Sequence, residues 1–341
     1  MDDVKEIERK RLLGRLSKNP GEYEGPPMPW LPQPGKCTRC KVKGIATIGL
    51  PSHNSRFCPD CFDVFFLNAV RRGLKKVPLP GDEPIVVAVS GGKDSLTAWD
   101  VLHRLGFRTL GIHLDLGIDG FSEASIAAAK TFAESRGLEF HVHSLKEHFG
   151  YTVPETYGRS GQEICAVCGT VKRHFLNRLA VDAGSGHLVT GHNLDDEGAR
   201  LLGNLIRRRE RYIEKFHPFL PSEHDRQASR AKPLFRVDET EIRTYVAIHE
   251  IRPAQGTGCP FSTGATSTEF KHALNWLETK MPGTKRDFVL GYIRANAAPA
   301  EASYNDCEKC GAPTYSNVCA ACGLKRRVNE KRALRGEATA D

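Results

Sequence analysis

The stretch from Ile85 to Asp100, IVVAVSGGKDSLTAWD, constrains the fold more than any other part of the chain. Its first five residues, Ile85–Val89, are apolar without a break, as is typical of a strand buried on both faces of a parallel sheet. A glycine turn follows, and the residues from Leu96 onward have the pattern of a helix. Because a helix N-terminus offers free backbone N–H groups and a favourable dipole, the stretch predicts an anion site.

The six residues of the glycine turn all have a predicted part in binding the anion. The two glycines let the backbone approach it closely. The lysine adds a positive charge, the serines add hydroxyl donors, and the aspartate is placed to hold a metal ion on a phosphate. The alternative is a chance glycine turn before a helix. The predicted nucleotide-binding residues of the turn are Ser90, Gly91, Gly92, Lys93, Asp94 and Ser95.

The spacing in this turn differs from that of the usual nucleoside-triphosphate loop, GxxxxGK followed by Ser or Thr. SGGKDS instead resembles the PP-loop of the ATP pyrophosphatases, enzymes that split ATP between the α and β phosphates. The strand–turn–helix context agrees with this resemblance, which therefore implies that the turn binds ATP.

Strands and helices alternate from Pro84 to about Arg208, which predicts a parallel sheet covered by helices on both faces. Ligands of such sheets bind at the carboxyl ends of the strands, so several loops are expected to meet in one crevice. A further short strand and a helix are predicted within residues 233–249. The four main strands are predicted at Ile85–Val89, Thr109–Asp115, Glu139–His143 and His187–Thr190, and the crevice loops follow Val89, His113 and Thr190.

The composition favours a globular protein with a polyanionic partner. The chain has 341 residues, 40% of them hydrophobic, which is enough to bury a sizeable core. Its net charge of +8 favours a partner such as a nucleic acid. The charged N-terminus lacks an apolar signal region and no apolar run approaches the length of a membrane span, so we expect a cytoplasmic protein that does not enter a membrane.

Eight of the eleven cysteines form four CxxC pairs, in two blocks near the ends of the chain. In a cytosolic protein such clusters indicate metal sites rather than disulfides. Four thiolates suit one tetrahedral zinc ion, which closes a module too small to have its own core. Each module is either a finger that contacts RNA or a partner, or a structural clip. The two predicted zinc sites are Cys37, Cys40, Cys58 and Cys61, and Cys307, Cys310, Cys319 and Cys322.

Three cysteines lie between the two blocks: Cys165, Cys168 and Cys259. They allow several interpretations, namely buried thiols, a redox pair with a bystander, or a three-thiolate metal site such as an iron–sulfur cluster with one open iron. A helix is predicted to start near Cys168. Lys172, four residues on, shares its face and is placed to lower the thiol pKa or to serve the reacting centre. A solvent-facing lysine is the alternative.

Two carboxylates follow the fourth predicted strand in the segment TGHNLDDE. Asp195 and Asp196 suit the start of a helix, where negative charge is favourable. They are also expected at the strand end that faces the nucleotide. Either one is a candidate to bind magnesium or to act as general acid or base, and simple helix capping is the alternative for at least one of them.

The ordered set of motifs resembles the TtuA/TtcA-type tRNA thiolation enzymes, and is closest to the TtuA-type tRNA 2-thiouridine synthetases. The motifs span residues 37–327. No single motif decides the resemblance, which rests on their order and on the 4–3–4 grouping of the cysteines. The motifs are the N-terminal cysteine pairs, SGGKDS, CAVCGTVKR, GHNLDDE, GCPFSTGATS, LETKMPGTKRDF and the C-terminal CEKCGAP and CAAC.

This resemblance implies a set of roles for the matching positions. The PP-loop binds ATP with Mg²⁺, and the strand end Gly111–Asp115, which includes His113, lies near the adenine, with Gly191 also in the nucleotide site. Lys172 and one of Asp195 or Asp196 are catalytic. The three middle cysteines hold a 4Fe-4S cluster whose fourth iron is free, the outer eight bind two zinc ions, and the protein is a homodimer.

The implied reaction is tRNA 2-thiolation. Attack of a uridine C2 oxygen on the ATP α-phosphate releases pyrophosphate, and sulfide carried by the cluster then displaces AMP; a persulfide on Cys168 or Cys259 is the rival sulfur carrier. Position 54 is expected and position 34 is the alternative. A ubiquitin-like thiocarboxylated protein or free sulfide supplies the sulfur. The basic cluster of Arg207, Arg208, Arg209 and Arg211 is a candidate contact for tRNA phosphates, and a solvated face is the alternative.

Two features depart from the family pattern. Gly198-Ala199-Arg200 follows GHNLDDE, where a polar Gln-Thr type of continuation is common, and residues 1–36 have no recognised counterpart. They motivate two alternatives: ATP-dependent sulfur or nitrogen transfer to a small metabolite, and a non-catalytic zinc protein that binds RNA. The predicted organisation is a flexible extension (1–36), a zinc finger with a linker helix (37–80), the PP-loop domain (81–300), a zinc ribbon (301–330) and a tail (331–341).

Overall fold

The computed structural model describes residues 33–157, 159–254, 259–261, 266–296 and 304–339. Most of the predicted N-terminal extension lies outside this part of the chain. The motif GCPFSTGATS is described only at residues 259–261 and from residue 266 onward. In the described part, no helix is both long enough and apolar enough to cross a bilayer.

A small antiparallel sheet begins the described chain. Strands β1 (Gln33–Gly35), β2 (Ile45–Leu50) and β3 (Ser55–Phe57) pair in that order. Helix α1 (Pro59–Leu74) follows, and its start at a proline suits the first helical turn, where the missing N–H is not needed. The buried residues of this module belong to the same hydrophobic cluster as those of the central domain, so the predicted finger and linker helix share its core.

A six-stranded sheet forms the centre, in the order β6-β5-β4-β7-β9-β8. All neighbouring pairs are parallel except β8 and β9 at one edge. The predicted doubly wound parallel sheet is therefore confirmed, with an antiparallel edge strand added. The strands are β4 (Ile85–Ala88), β5 (Thr109–Asp115), β6 (Glu139–Ser144), β7 (His187–Val189), β8 (Phe219–Leu220) and β9 (Ser229–Ala231).

Helices cover both faces of this sheet because the buried strands are apolar on both sides. On β4, Ile85 and Val87 belong to one hydrophobic cluster and Val86 to the other. The helices after β4 are α2 (Lys93–Arg104), α3 (Phe121–Arg136), α4 (Leu145–Phe149), α5 (Val153–Thr156), α6 (Ile164–Asp182), α7 (Leu194–Ile206), α8 (Glu210–Glu214), α9 (Glu239–Ile248), α10 (Thr266–Lys280) and α11 (Thr284–Ala295).

The C-terminal module packs on the α6 side of the sheet. It contains the short strands β10 (Asn305–Asp306) and β11 (Pro313–Thr314) and the helix α12 (Ala320–Ala333). Leu324 and Val328 of α12 are buried in the same cluster as α6. Helix α12 runs through residue 330, where the sequence suggested that a ribbon gives way to a tail.

Two local predictions were wrong. The segment 233–237 forms a turn, in which the Val237 amide donates to Leu234 O at 3.0 Å, and the strand lies earlier, at β9. The apolar residues of the segment 233–237 are buried although they lie in a turn. Hydrophobic periodicity alone cannot distinguish such a buried turn from a short strand. Helix α6 begins at Ile164 rather than near Cys168, so both cysteines lie in its first turns.

Gly111 on β5 allows a close approach of sheet and helix. A Cβ added there would lie 2.3 Å from the ring of Trp99, which is fully buried on α2. We expect Gly111→Ala to lower the free energy of unfolding by about 1–3 kcal/mol, because the packed ring cannot move aside cheaply. Thermal and urea unfolding measure the change. Gly186→Ala, whose Cβ would meet nothing within 4 Å, is the control and should change stability by less than about 0.5 kcal/mol.

Candidate active site

The glycine turn lies at the topological switch point of the sheet. The chain leaves β4 to build β5 and β6 on one side, then returns to build β7 on the other side of β4. In doubly wound sheets the crevice at this point, outside the carboxyl ends of the strands, is where ligands bind. The turn after β4 and the loop after β7 therefore face each other across a crevice.

The turn is held open by its own hydrogen bonds. Gly91 has φ of +76°, and a Cβ there would lie 2.3 Å from Ser125 O, so only glycine fits. The Ser95 hydroxyl accepts from the Ser90 amide and donates to Gly92 O, both at 3.0 Å. Ser95 thus shapes the turn. Among the described residues no side chain caps the N-terminus of α2, whose first N–H groups remain available to an anion.

Lys93 stands between two carboxylates at the mouth of the crevice. Its Nζ lies 3.1 Å from Asp94 Oδ2 and 3.3 Å from Glu239 Oε1. Burial lowers the pKa of Lys93, but these two charges outweigh it and the pKa is raised, so the lysine is a permanent cation. Burial likewise raises the pKa of Glu239, and Lys93 and Arg243 outweigh it and lower the pKa to about 2.

The loop after β7 packs directly on the turn. Gly191 lies so close to the Asp94 backbone that an added Cβ would come within 2.7 Å of it. The buried Asn193 donates from Nδ2 to Asp94 Oδ1 at 2.9 Å. Asn193 also begins α7 in a reciprocal capping box with Asp196, in which each side chain accepts from the other residue's amide.

The two candidate aspartates have different surroundings. Asp195 is 2% exposed; its Oδ1 lies 2.5 Å from Lys285 Nζ and its Oδ2 accepts from the Glu239 amide at 2.8 Å. Asp196 is half-buried and its Oδ1 lies 2.5 Å from Lys271 Nζ. Burial raises the pKa of Asp196, but Lys271 outweighs it, so the net pKa is lowered and the group is a carboxylate.

His113 lies on the opposite side of the turn, at the end of β5. It is 4% exposed and donates from Nδ1 to Val89 O at 2.8 Å, which leaves Nε2 as an acceptor. Burial lowers its pKa and so does the charge of Lys172, so the ring is neutral at pH 7. The end of β5, the PP-loop strand and α6 thus meet around this ring.

The three middle cysteines come together beside this crevice. Cys165 and Cys168 lie in the first turns of α6, and the Cys165 thiol lies 3.8 Å from Phe261 O, two residues beyond Cys259. Burial raises the pKa of the Cys168 thiol; Lys172 lowers it, and Cys259 and Cys165 raise it. Lys172 therefore sits beside the thiol as expected, but burial outweighs its effect on the pKa.

The same segment connects the cysteines to the glycine turn. The Ala254 amide donates to Gly91 O at 2.9 Å. Cys259 follows five residues later, a length of chain that spans at most about 18 Å. The cysteine group consequently lies within one short segment of the PP-loop.

The outer cysteines form two compact groups at the termini. In each group the four Sγ atoms lie within 4.8 Å of one another. Cys40 and Cys58 thiols are 3.9 Å apart, and those of Cys310 and Cys319 are 3.7 Å apart. Tetrahedral ligands with metal–sulfur bonds of 2.3 Å are separated by about 3.8 Å, so both groups fit one metal ion each. Among the described residues, the middle cysteines do not form such a compact group.

Comparison with known proteins gives the family. The model of the PP-loop domain matches residues 67–255. The chain is similar to the tRNA-5-methyluridine(54) 2-sulfurtransferase of Thermus thermophilus, with 39% identity over 86% of this chain and 94% of the relative. The chain belongs to the PP-loop family and to its TtuA-type branch. The resemblance found in the motifs is thereby confirmed.

Two further relatives extend the comparison. The cytoplasmic tRNA 2-thiolation protein 1 of Saccharomyces cerevisiae is 27% identical over 87% of each chain. The solved structure of the U34-tRNA thiolase NcsA from Methanococcus maripaludis, with its 4Fe-4S cluster, matches with a TM-score of 0.73 and 26% identity, covering 85% of this chain and 95% of that one. The TtuA-type fold of this chain thus agrees with an experimentally solved thiolase.

Several charged residues of this TtuA-type site were missed in the sequence. Glu239 and Lys271 reach Lys93 and Asp196 from α9 and α10, far along the chain. Lys232 and Glu197 form a buried pair at 2.8 Å beside the loop after β7. Only Glu239 had a usable signal, since Asp238 to Glu241 has the spacing of a capping box at a helix start.

Asp195 is expected to hold the site together through Lys285. Lys285→Met removes the partner of a buried carboxylate and should destabilise the protein by about 3–5 kcal/mol. The double variant Asp195→Asn/Lys285→Met should recover part of this loss, because residue 195 then carries no charge that needs a partner. Urea unfolding of the variants measures both effects, and Lys280→Met, an exposed lysine, is the control. Equal stability of Lys285→Met and the control contradicts this role.

Proposed function

We propose that this protein is an ATP-dependent tRNA 2-sulfurtransferase that thiolates uridine 54. The observation that carries the proposal is the placement of three thiols and Lys172 next to an ATP-type loop at one crevice. The relatives named for position 54 are 34–39% identical to the chain. The thiolase named for position 34 is 26% identical, so position 54 is favoured.

The first half of the reaction is activation of the uridine. The C2 oxygen attacks the α-phosphate of ATP, and pyrophosphate leaves. Lys93 and the N–H groups at the start of α2 stabilise the negative charge that develops on the phosphate. His113, Gly191 and the end of β5 border the space for the nucleotide, and the remaining turn residues, Ser90, Gly91, Gly92 and Ser95, set the shape of its phosphate cradle.

Asp94 and Asp196 supply carboxylate oxygens on the crevice side that would hold Mg²⁺, and the ion would neutralise negative charge on the phosphates of ATP. Asp196 is the stronger of the two catalytic candidates, because it is half-buried at the crevice. Asp195 is enclosed by Lys285 and the Glu239 amide, so we assign it a positioning role.

The second half is delivery of sulfur to C2. We propose that Cys165, Cys168 and Cys259 hold a 4Fe-4S cluster, whose fourth iron presents a sulfide ligand. Sulfide attacks the activated C2, and the former C2 oxygen leaves with AMP. Lys172 lies next to Cys168 and His113, where its ammonium group can orient the incoming sulfur relative to the base.

The outer cysteine groups are proposed to bind one Zn²⁺ each. The Sγ separations fit, and backbone amides of Cys58 and Cys319 point to the thiols of Cys37 and Cys307 at 3.5 and 3.2 Å. Burial raises the pKa of Cys37 and Cys307, but such N–H groups outweigh it and lower the pKa of each to about 6. One thiolate of each group is thus stabilised in advance, and binding of the ion would deprotonate the other thiols.

The remaining parts of the proposal concern partners. The substrate is tRNA, and the sulfur comes from a ubiquitin-like thiocarboxylated protein or from free sulfide. We propose that the protein is a homodimer, on the basis of the family resemblance. We also propose that it is cytoplasmic, as is the similar tRNA 2-thiolation protein of yeast.

The reaction is tested with anaerobically purified protein, an unmodified tRNA transcript, ATP and sulfide. Mass spectrometry of the oligonucleotides from a nuclease digest should show one 2-thiouridine, at position 54. Replacing uridine 54 by cytidine in the transcript is the control and should abolish the product. A thiolated nucleoside at position 34 instead of position 54 refutes the assignment. So does a result in which no nucleoside is thiolated and the protein uses ATP to modify a small metabolite.

The metal content separates the three cysteine groups. Cys165→Ala, Cys168→Ala and Cys259→Ala should each lose iron and acid-labile sulfide while keeping two zinc ions, because each removes one of three cluster ligands. Cys40→Ala should lose one zinc ion and keep the iron. Colorimetric iron and sulfide assays together with elemental analysis measure these contents. Iron retained in all three middle-cysteine variants speaks against the cluster.

A further inference from the structure

A second group of cations, separate from Lys93, lines one face of the sheet. Arg230 on β9 and Lys232 just after it alternate with the buried Ser229 and Ala231, so their side chains point to the same side. Arg230 lies in register with Leu188, which belongs to the α6 core. The two cations therefore lie on the α6 face of the sheet, near the carboxyl end of β7.

Positive charge on this face exceeds the negative charge that faces it. Lys232 and Arg200 share a single oxygen of Glu197, at 2.8 and 2.7 Å. In the part of the chain that the structure describes, no carboxylate pairs with the Arg230 guanidinium, whose charged neighbours include Arg173 and Arg200. The pKa of Lys232 is lowered to about 7, mainly by burial and also by the charges of Arg200 and Arg230. Glu197 raises this pKa but does not outweigh them.

The outer end of this face meets an aromatic cluster of the C-terminal module. Arg230 lines a surface pocket together with Lys215, Gln227, Tyr304 and one acidic residue, Glu223. The rings of Tyr304 and Tyr315 pack against each other with centroids 4.5 Å apart and an angle of 31° between their planes. Lys215 lies 4.8 Å and Arg211 3.9 Å from the centroid of Tyr315, which is 43% exposed.

The inner end of the face opens at the crevice. Glu197 and Arg200 lie on α7, whose first turn carries Asn193 and Asp196. His192 lies in the loop after β7; burial lowers its pKa, and the charge of the nearby Lys232 lowers it further. The cations thus continue from the C-terminal module to the edge of the nucleotide site.

We propose that Arg173, Arg200 and Arg230, continued outward by Lys215 and the Tyr304–Tyr315 pair, form an RNA-binding track that leads the substrate strand into the crevice. The proposal rests on the proposed function and deepens it by assigning the surface that holds the tRNA. Arginine matches phosphate oxygens in a bidentate way, and tyrosines beside cations are the typical surface for unpaired bases. An acidic peptide would use the cations but not the exposed aromatic ring.

Arg230→Gln tests the track, because it removes a charge without leaving a carboxylate unpaired. Binding of fluorescently labelled tRNA transcript to the full-length, anaerobically purified protein is measured by anisotropy at several salt concentrations. We expect Kd to rise by about tenfold or more. The slope of log Kd against log salt should fall by about one, as for the loss of one phosphate contact.

Two further variants separate this effect from others. Lys130→Gln removes the same charge from an exposed position on α3, on the opposite face of the sheet, and should leave Kd and slope unchanged. Arg230→Lys keeps the charge and should restore the salt slope, but only part of the affinity, because lysine cannot make the bidentate contact. A Lys variant whose salt slope is as low as that of the Gln variant overturns the phosphate contact.

The outcome also separates this proposal from the function. If wild-type protein thiolates tRNA while Arg230→Gln binds it like Lys130→Gln, the track is refuted and the function stands. If wild-type protein neither binds nor thiolates tRNA, both fall. If Arg230→Gln weakens binding of ATP in the absence of RNA instead of binding of tRNA, the cations belong to the nucleotide site and the track is refuted.

Discussion

The hydrogen bond from the side-chain amide of Asn193 to the Asp94 carboxylate is the contact on which the crevice depends. It joins two loops that are 99 residues apart in sequence and follow neighbouring strands. Gly191 permits the approach because it has no side chain to keep the two backbones apart. The turn that would cradle phosphates and the helix start that carries the aspartates are thereby fixed in one geometry, and a loop shift on either side would separate them.

Charges of both signs alternate around this contact. Lys93 faces Glu239, Lys271 faces Asp196, and Lys285 faces Asp195, each from a different helix. Such an arrangement contributes little net stability, since desolvation offsets most of the attraction between buried charges. Its value lies in orientation: dipoles and charges that are already in place need not reorganise when charge develops on a phosphate.

Much of the framework could be predicted from the sequence, and the reason is burial. The apolar run at Ile85–Val89 and the glycine turn after it specified the central strand and the switch point. The two-residue β8 and three-residue β9 are too short to show the alternating pattern of a strand. The strand was therefore placed in the more apolar segment 233–237 that follows them.

The site was predictable only in part. Residues that follow strands, such as Asp94 and Asp196, were found because parallel strands end at one edge. Glu239 and Lys271 reach the crevice from helices that follow long connections, and no local pattern marks such partners. The nearness of Cys259 to α6 was implied by the family resemblance alone, since sequence spacing gives no distance between residues so far apart.

Helix α6 connects the middle cysteines to the C-terminal module. It carries Cys165 near its start and His174 nine residues later, so these two residues are about 14 Å apart along the helix. Nδ1 of His174 lies 3.9 Å from the thiol of Cys319. The helix is a stiff rod between these two points. If the C-terminal cysteines hold the proposed zinc ion, its loss to chelators or oxidants would remove one support of this rod, and the displacement would reach the end of the helix that carries Cys165.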